Sequence, residues 1–387
     1  MLRTRLLVCL LALLPLAAPA SDHLDTPTVI ADPAADIGDA FAWTAPDGRH
    51  LNLVMTIVGV KFSDQVEYVF HIDSGKSLGH TTASRELVCV FDQQVADCRL
   101  GADRVHGRAD GAEGLRSARG SFRLFAGPRD DPFFNNVRGT RAAYNVAGAA
   151  LAAGVAHDAA GCPAFDAPTA TKILDEWRHT EGHEASSLLA GWKTGAIVVS
   201  IELDAVNRGG GLLGVWATTN RRPDDAGKTG PPIDRIGRAL TGNSLIETFG
   251  TVDAANARKE QYNRAEPGRW QEFARDLAVN LANYDGFDGK CGNAWRIGPG
   301  ADAYLPLARL LADDRLWVNT RSTVCTQYLA VELAADGQTS DCGGRTPLYD
   351  VDVFRSLLVT GQVTGVDDGV PRDDHDPSNS NFPFLAP

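Results

Sequence analysis

His50-Leu51-Asn52-Leu53-Val54-Met55-Thr56-Ile57, followed shortly by Val66-Glu67-Tyr68-Val69-Phe70-His71-Ile72-Asp73, decides the fold class of this chain. In the first stretch Leu51, Leu53, Met55 and Ile57 share one face. In the second, Val66, Tyr68, Phe70 and Ile72 do so, with Glu67, His71 and Asp73 on the other. A period of two is the mark of a strand with one face in a core. Short strands continue at Glu86 to Phe91, around Cys98 and at Ser121 to Ala126. Their close spacing predicts antiparallel, sandwich-like sheets.

Working outward, helical patterns enter after these strands. Arg141 to Ala153 is alanine-rich, and Thr169 to Arg178 follows Pro168 with hydroxyl residues suited to capping. Trp270, Phe273, Leu277 and Leu281 recur at helical spacing, and Tyr304 to Leu311 tolerates Pro306 in a first turn. Strands return at Ala196 to Leu203, Leu212 to Thr218 and Gln327 to Leu333, with Gly209 to Gly211 read as a hairpin loop and Arg221 to Pro232 as a further loop. The expected fold is α+β and β-rich, with several helices inserted in the second half. Residues 21–387 form one composite domain, and no repeat of fixed period is present.

Residues 1–20 read as a signal peptide. Arg3 and Arg5 precede an apolar run from Leu6 to Leu16, and Ala18-Pro19-Ala20 offers small residues for cleavage. That run is well short of the ~20 residues a membrane-spanning helix needs. Cleavage after Ala20 gives a chain starting Ser21-Asp22-His23, bound for the periplasm or the extracellular medium, with no later membrane span. Of seven cysteines, Cys9 leaves with the signal and six remain, as suits an oxidising compartment. Cys89 and Cys98 lie on two strands about a tight polar turn, which sets their thiols opposite one another. Cys325 and Cys342 flank the expected strand Gln327 to Leu333 and form the second choice. Cys162 with Cys291 follows by elimination, and connectivity is not fixed by sequence alone. The absence of any Cys-x-x-Cys weighs against zinc held by cysteines.

The charge is −12 for the whole chain, and loss of Arg3 and Arg5 takes it to −14. Acidity of that size, without any basic run interleaved with aromatics, argues against a nucleic-acid partner. A small molecule or a glycan is the expected class of partner. No Gly-x-Ser-x-Gly, Walker loop, His-Glu-x-x-His or strand-following Gly-x-Gly-x-x-Gly occurs, so the common enzyme signatures are missing.

Three groups of residues carry potential chemistry. A free amine at Ser21 with His23 in third place is a square-planar nitrogen set for copper or nickel. Asp22, Asp25, Asp32, Asp36 and Asp39 crowd the start, and Asp367, Asp368, Asp373, Asp374 and Asp376 crowd the end. Such carboxylates repel one another unless a cation or arginines intervene, and Asp374-His375-Asp376 has alternating oxygens, as a calcium loop does. It lacks the glycine (Asn379 stands there) and the final glutamate of an EF-hand. His179 and His183 would share a face if their segment were helical, with Glu181 beside a metal-bound water, although Gly182 opposes a helix. Arg129 to Phe134 and Asn220 to Pro223 read as loops braced by arginine–carboxylate pairs, or as the lining of an anion or carbohydrate pocket.

Ser21-Asp22-His23-Leu24-Asp25-Thr26-Pro27, then Asp32-Pro33-Ala34-Ala35-Asp36-Ile37-Gly38-Asp39-Ala40-Phe41-Ala42-Trp43, resembles the start of the exported bacterial family catalogued as domain of unknown function 4331. That family shows Ser-Ser-His-Arg-Glu-Ala-Pro and Asp-Pro-x-Ala-Asp-x-Thr-Asp-Leu-Tyr-Ala-Phe. The end of the strand at His71-Ile72-Asp73, the Arg129 to Phe134 loop and the closing Asp368-Gly369-Val370 and Phe382 to Ala386 are also similar. The likeness runs through essentially all of the mature chain. This chain departs from the pattern at Asp22, Leu24-Asp25, Gly38, Phe41 and Trp43. The resemblance implies export and a shared role for His23, Asp32, Asp36 and Asp39, with no activity attached.

The expected protein is therefore an exported, disulfide-stabilised binding protein. A divalent cation, calcium first and copper at His23 second, is expected at His23, Asp32, Asp36, Asp39, Asp374 and Asp376. The alternatives are a metal-dependent hydrolase or oxidoreductase at His23 or His179/His183, and a carbohydrate-binding β-sandwich.

Overall fold

In the computed structural model, which describes residues 26–223, 230–334 and 336–387, the alternation read at 50–57 becomes a central strand with two buried faces. In chain order the strands are β1 (Ile37–Thr44), β2 (His50–Ile57), β3 (Val66–Ser77), β4 (His80–Asp92), β5 (Val95–Leu100), β6 (Asp103–Arg108), β7 (Leu115–Arg116) and β8 (Phe122–Asp130). A two-residue pair, β9 (His179–Thr180) and β10 (His183–Glu184), precedes β11 (Lys193–Glu202), β12 (Leu212–Arg221), β13 (Pro232–Ile236) and β14 (Leu316–Asn319).

Two antiparallel sheets dominate. One runs β1-β2-β11-β8-β7; the other runs β13-β12-β3-β4-β5-β6, with β14 also pairing β12. Leu51, Leu53, Met55 and Ile57 of the first sheet enter the same core as Tyr68, Phe70 and Ile72 of the second. That shared core makes the pair sandwich-like, as the period of two demands. The opposite face of the five-stranded sheet is also covered. Phe41, Trp43, Val54, Phe125, Ala196 and Val198 pack there against Phe384, Leu385 and Cys342. The last residues of the chain thus lie as a strap across this sheet, pinned by the Trp43 indole N–H donating to the Asn379 carbonyl at 2.9 Å.

Apart from one short turn at Pro27–Ala31, every described helix follows β8, and none is long and apolar enough to cross a membrane. Three of them start on side-chain caps, at Asn136, Asp166 and Thr251. Asn136 Oδ1 accepts from the Gly139 amide, and Asp166 Oδ1 accepts from Thr169. Asp166 starts its helix at Ala167, two residues ahead of the hydroxyl cap read in the sequence.

Three other local readings change. Residues Pro267–Phe273 form a 3₁₀ turn and the α-helix proper begins at Ala274, so the apolar spacing from Trp270 spans two elements. Gly209 to Gly211 do not close a hairpin, because β11 and β12 belong to different sheets. Their small size serves a close crossing: a Cβ at Gly209 or Gly210 would meet the Ser74 or Gly75 carbonyl. Gln327 to Leu333 is not a strand; Leu329 has φ 62° and leads into a short helical turn at Ala330–Leu333. An apolar run without alternation fits either state, and here burial decided it.

Disulfides join Cys89–Cys98, Cys162–Cys291 and Cys325–Cys342. The first links residues directly opposite on β4 and β5. The segment of the expected signal peptide and the copper reading at His23 lie outside the described residues, as do Asp22 and Asp25.

Candidate metal centre

β8 ends at Asp130, where its neighbour β11 begins with Lys193, and the two are paired in register. The strap passes this corner. The Asp130 amide donates to the Ala386 carbonyl at 3.0 Å, and Lys193 Nζ donates to the Pro387 carbonyl. The Gly191 amide reaches the Asp374 carboxylate at 3.4 Å. Strand end and strap therefore bring Asp130 to Asp373, Asp374 and His375, each offering a ligand atom within 4.8 Å of the others.

Asp130 is the unusual member. It is only 1% exposed, yet neither carboxylate oxygen accepts a hydrogen bond. The nearest basic group is the His375 imidazole, whose Nδ1 stands 3.2 Å from Asp130 Oδ2 and 3.4 Å from Asp374 Oδ1. Burial pushes the Asp130 carboxyl up, against the pull of His375 and Lys193. Burial and the neighbouring Asp130 charge push Asp373 up to about 7. Three carboxylates facing one imidazole are mutually repulsive when ionised, and a cation or a proton relieves that repulsion. His375 and Asp374 are partly open to solvent, so the corner is accessible.

The donors themselves choose among cations. Calcium takes oxygen ligands, whereas imidazole beside carboxylates suits a first-row divalent metal such as Zn²⁺ or Mn²⁺. His375 was seen in the sequence only as the middle of an alternating aspartate pair. In the structure it points at the same space as Asp130.

The other expected ligands go elsewhere. Asp39 is buried against Arg345, to which it is hydrogen-bonded, and its amide donates to Thr56 Oγ1 at 2.8 Å. Thr56 Oγ1 in turn donates to Asp131 at 3.0 Å. Asp36 is buried, and its carbonyl accepts from the Val58 amide. Asp32 is exposed at the end of the first helical turn, and Asp376 is exposed on the strap. Asp32, Asp36, Asp39 and Asp376 all lie outside the four-residue group.

His179 and His183 are not on a helix face. They sit on the two-residue strands flanking a tight turn, with Glu181 and Gly182 at φ 54° and 78°. His179 Nδ1 lies 2.7 Å from the Asp175 carbonyl, and His183 is exposed. A second cluster, Asp158 with Cys162 and Cys291, loses its sulfurs to the disulfide. In the Arg129 loop the bracing differs from expectation. The Arg129 guanidinium lies over the Phe125 ring at 4.1 Å, while Asp131 is held by Thr56 and the Phe133 amide. Part of the Arg221 to Pro232 loop lies outside the described residues, but Arg222 donates to the Asp64 carbonyl at 3.1 Å.

Compared with protein-family models, curated proteins and solved structures, the chain matches none of them.

Proposed function

We propose that this chain is an exported, disulfide-braced binding protein that holds a divalent first-row cation with Asp130, Asp373, Asp374 and His375. The observation that carries this reading is the Asp130 carboxylate, buried at the end of its strand with no backbone or hydroxyl donor on it and faced by His375, Asp373 and Asp374. A buried charge left in that state is costly, and a metal ion is the partner that the surrounding donor set fits. The cation ties the strap to the end of β8. Export rests on the N-terminal pattern of residues 1–20 together with three disulfides. Kinship with the domain of unknown function 4331 family belongs to the same reading, and Asp36 and Asp39, two positions of its motif, are both buried.

The test is a melting experiment on chelator-stripped protein. At a hundredfold excess over Kd, Zn²⁺ or Mn²⁺ should add about 2.7 kcal/mol and raise Tm by roughly 3 °C. Asp130→Asn should melt no lower than the wild type without metal, since it removes a buried charge, and should lose the metal response. An unchanged Tm for every cation overturns the proposal, and an equal response to Ca²⁺ would return the site to an all-oxygen design.

A further inference from the structure

The strap covers the outer face of the five-stranded sheet unevenly. One register row across that face, Val54–Val198–Phe125, is apolar and lies beneath Phe384 and Leu385. A nearby row is polar on four of its five strands: beyond Trp43 on β1, Asn52 is opposite Ser200, Ser200 opposite Arg123, and Arg123 opposite Arg116. This row faces a cleft of about 350 Å³, walled on the strap side by Ser380, Phe382 and Phe384. A volume of that order accommodates a small organic ligand and is far larger than a simple ion requires.

The charges in the cleft are unequally satisfied. Asp47, its one carboxylate, is fully engaged. It accepts from the Arg49 amide at 2.8 Å and the His50 amide at 3.2 Å, and stands 2.6 Å from His50 Nδ1. Arg123 is answered by Glu113 at 2.7 Å and lies over the Phe382 ring at 4.1 Å. Arg116 is exposed and has no ion-pair partner among the described residues, although it stands directly across the sheet from a second arginine. Like charges set opposite one another on adjacent strands are unfavourable, and Glu113 offsets this at Arg123 alone. In a chain of charge −12, Glu113 offsets Arg123 and Asp47 is committed to its own turn, which leaves Arg116 at this cleft without a counter-charge among the described residues.

We propose that this cleft binds a carboxylated sugar, its carboxylate on Arg116, its hydroxyls on the Asn52–Ser200 row and the C–H face of its ring against Phe382. Guanidinium pairs with carboxylate through two parallel hydrogen bonds, and amide and hydroxyl side chains both donate to and accept from sugar hydroxyls. Aromatic rings give the apolar face of a pyranose a dry surface. None of the four proposed metal ligands lines the cleft, so this binding stands apart from the cation.

The experiment is calorimetric titration with glucuronate, glucose and acetate, on chelator-treated and Zn²⁺-loaded protein alike. Glucuronate should bind both forms, at least tenfold more tightly than glucose, with acetate weaker still. Arg116→Met, on an exposed two-residue strand, should erase the preference for glucuronate over glucose, while Arg275→Met on a distant helix should not. Ser200→Ala should weaken both sugars. Silence with glucuronate in both forms, equal affinity for acetate, or an Arg116→Met protein that keeps its preference would each overturn the proposal. Glucuronate binding with no metal response would overturn the cation reading alone.

Discussion

Asp103 shows how much one side chain organises. Its carboxylate accepts from Ser117 Oγ at 2.7 Å, Ser121 Oγ at 2.5 Å, and the amides of Arg119 and Ser121 at 2.8 and 3.1 Å. Burial works against ionisation, but these donors together hold its pKa well below the usual carboxylate range. Asp103→Asn leaves one of its oxygens replaced by a donor that faces other donors. We expect a loss of about 2–3 kcal/mol in urea denaturation at pH 7. Because the folded pKa is depressed, the aspartate's advantage is complete above its unfolded value near 3.9 and fades as pH falls toward the folded one. The gap between wild type and variant should therefore narrow only below about pH 4, and a gap constant down to pH 3 would contradict this account. Nothing in the sequence marks Asp103, since its donors come from a loop more than a strand away. The candidate metal centre is a milder case. Asp130, Asp373, Asp374 and His375 were each noticeable in the sequence, but only the strap's path beside β8 joins them. The sequence clustered aspartates by proximity along the chain, whereas the fold sends Asp39 to Arg345.

At the scale of elements, legibility followed the strength of the period. The β4–β5 hairpin could be read because alternation and a short turn specify register, and register alone sets Cys89 against Cys98. The crossing at Gly209 to Gly211 could not, because a glycine loop between two strands does not say whether they share a sheet. The three disulfides also differ in what they do. They close 9, 17 and 129 residues for Cys89–Cys98, Cys325–Cys342 and Cys162–Cys291. The chain-entropy relation assigns these about 2.5, 3 and 5 kcal/mol. Paired alanine substitutions should therefore rank in that order of destabilisation, Cys162/Cys291 costing most, when compared by guanidinium denaturation. A Cys89/Cys98 variant less stable than the Cys162/Cys291 one would mean that local strand packing outweighs long-loop closure here.

The whole molecule carries its acidity partly inside, and this sets its response to pH. Burial, opposed by Arg345, pushes Asp39 up to about 7. Burial and the nearby Asp352 push Asp368 up to about 8 and Asp350 up to about 6. A carboxyl whose folded pKa is raised binds its proton in the fold before it does so in the unfolded chain. The folded state then holds more protons than the unfolded state between the two values, and stability falls as pH rises through that window. Each such group contributes about 1.4 kcal/mol per pH unit while it is protonated in the fold and ionised when unfolded. Relief of self-repulsion in a chain of charge −12 acts in the same direction. Chelator-treated protein should accordingly show Tm rising as pH is lowered from 8.5 to about 5.5. Below about pH 4 the trend reverses, as Asp97, Asp103 and Glu86, whose folded pKa values are lowered, take up protons. Asp350→Asn tests the origin of the slope. Its remaining oxygen can still accept from the Asp352 amide, as Asp350 Oδ1 does at 2.8 Å, while its proton uptake is gone. The variant should gain less stability than the wild type between pH 6.5 and 4.5 and match its slope above pH 7. Parallel curves throughout would show that Asp350 titrates alike folded and unfolded, and would move the source of the pH dependence to Asp39 and Asp368.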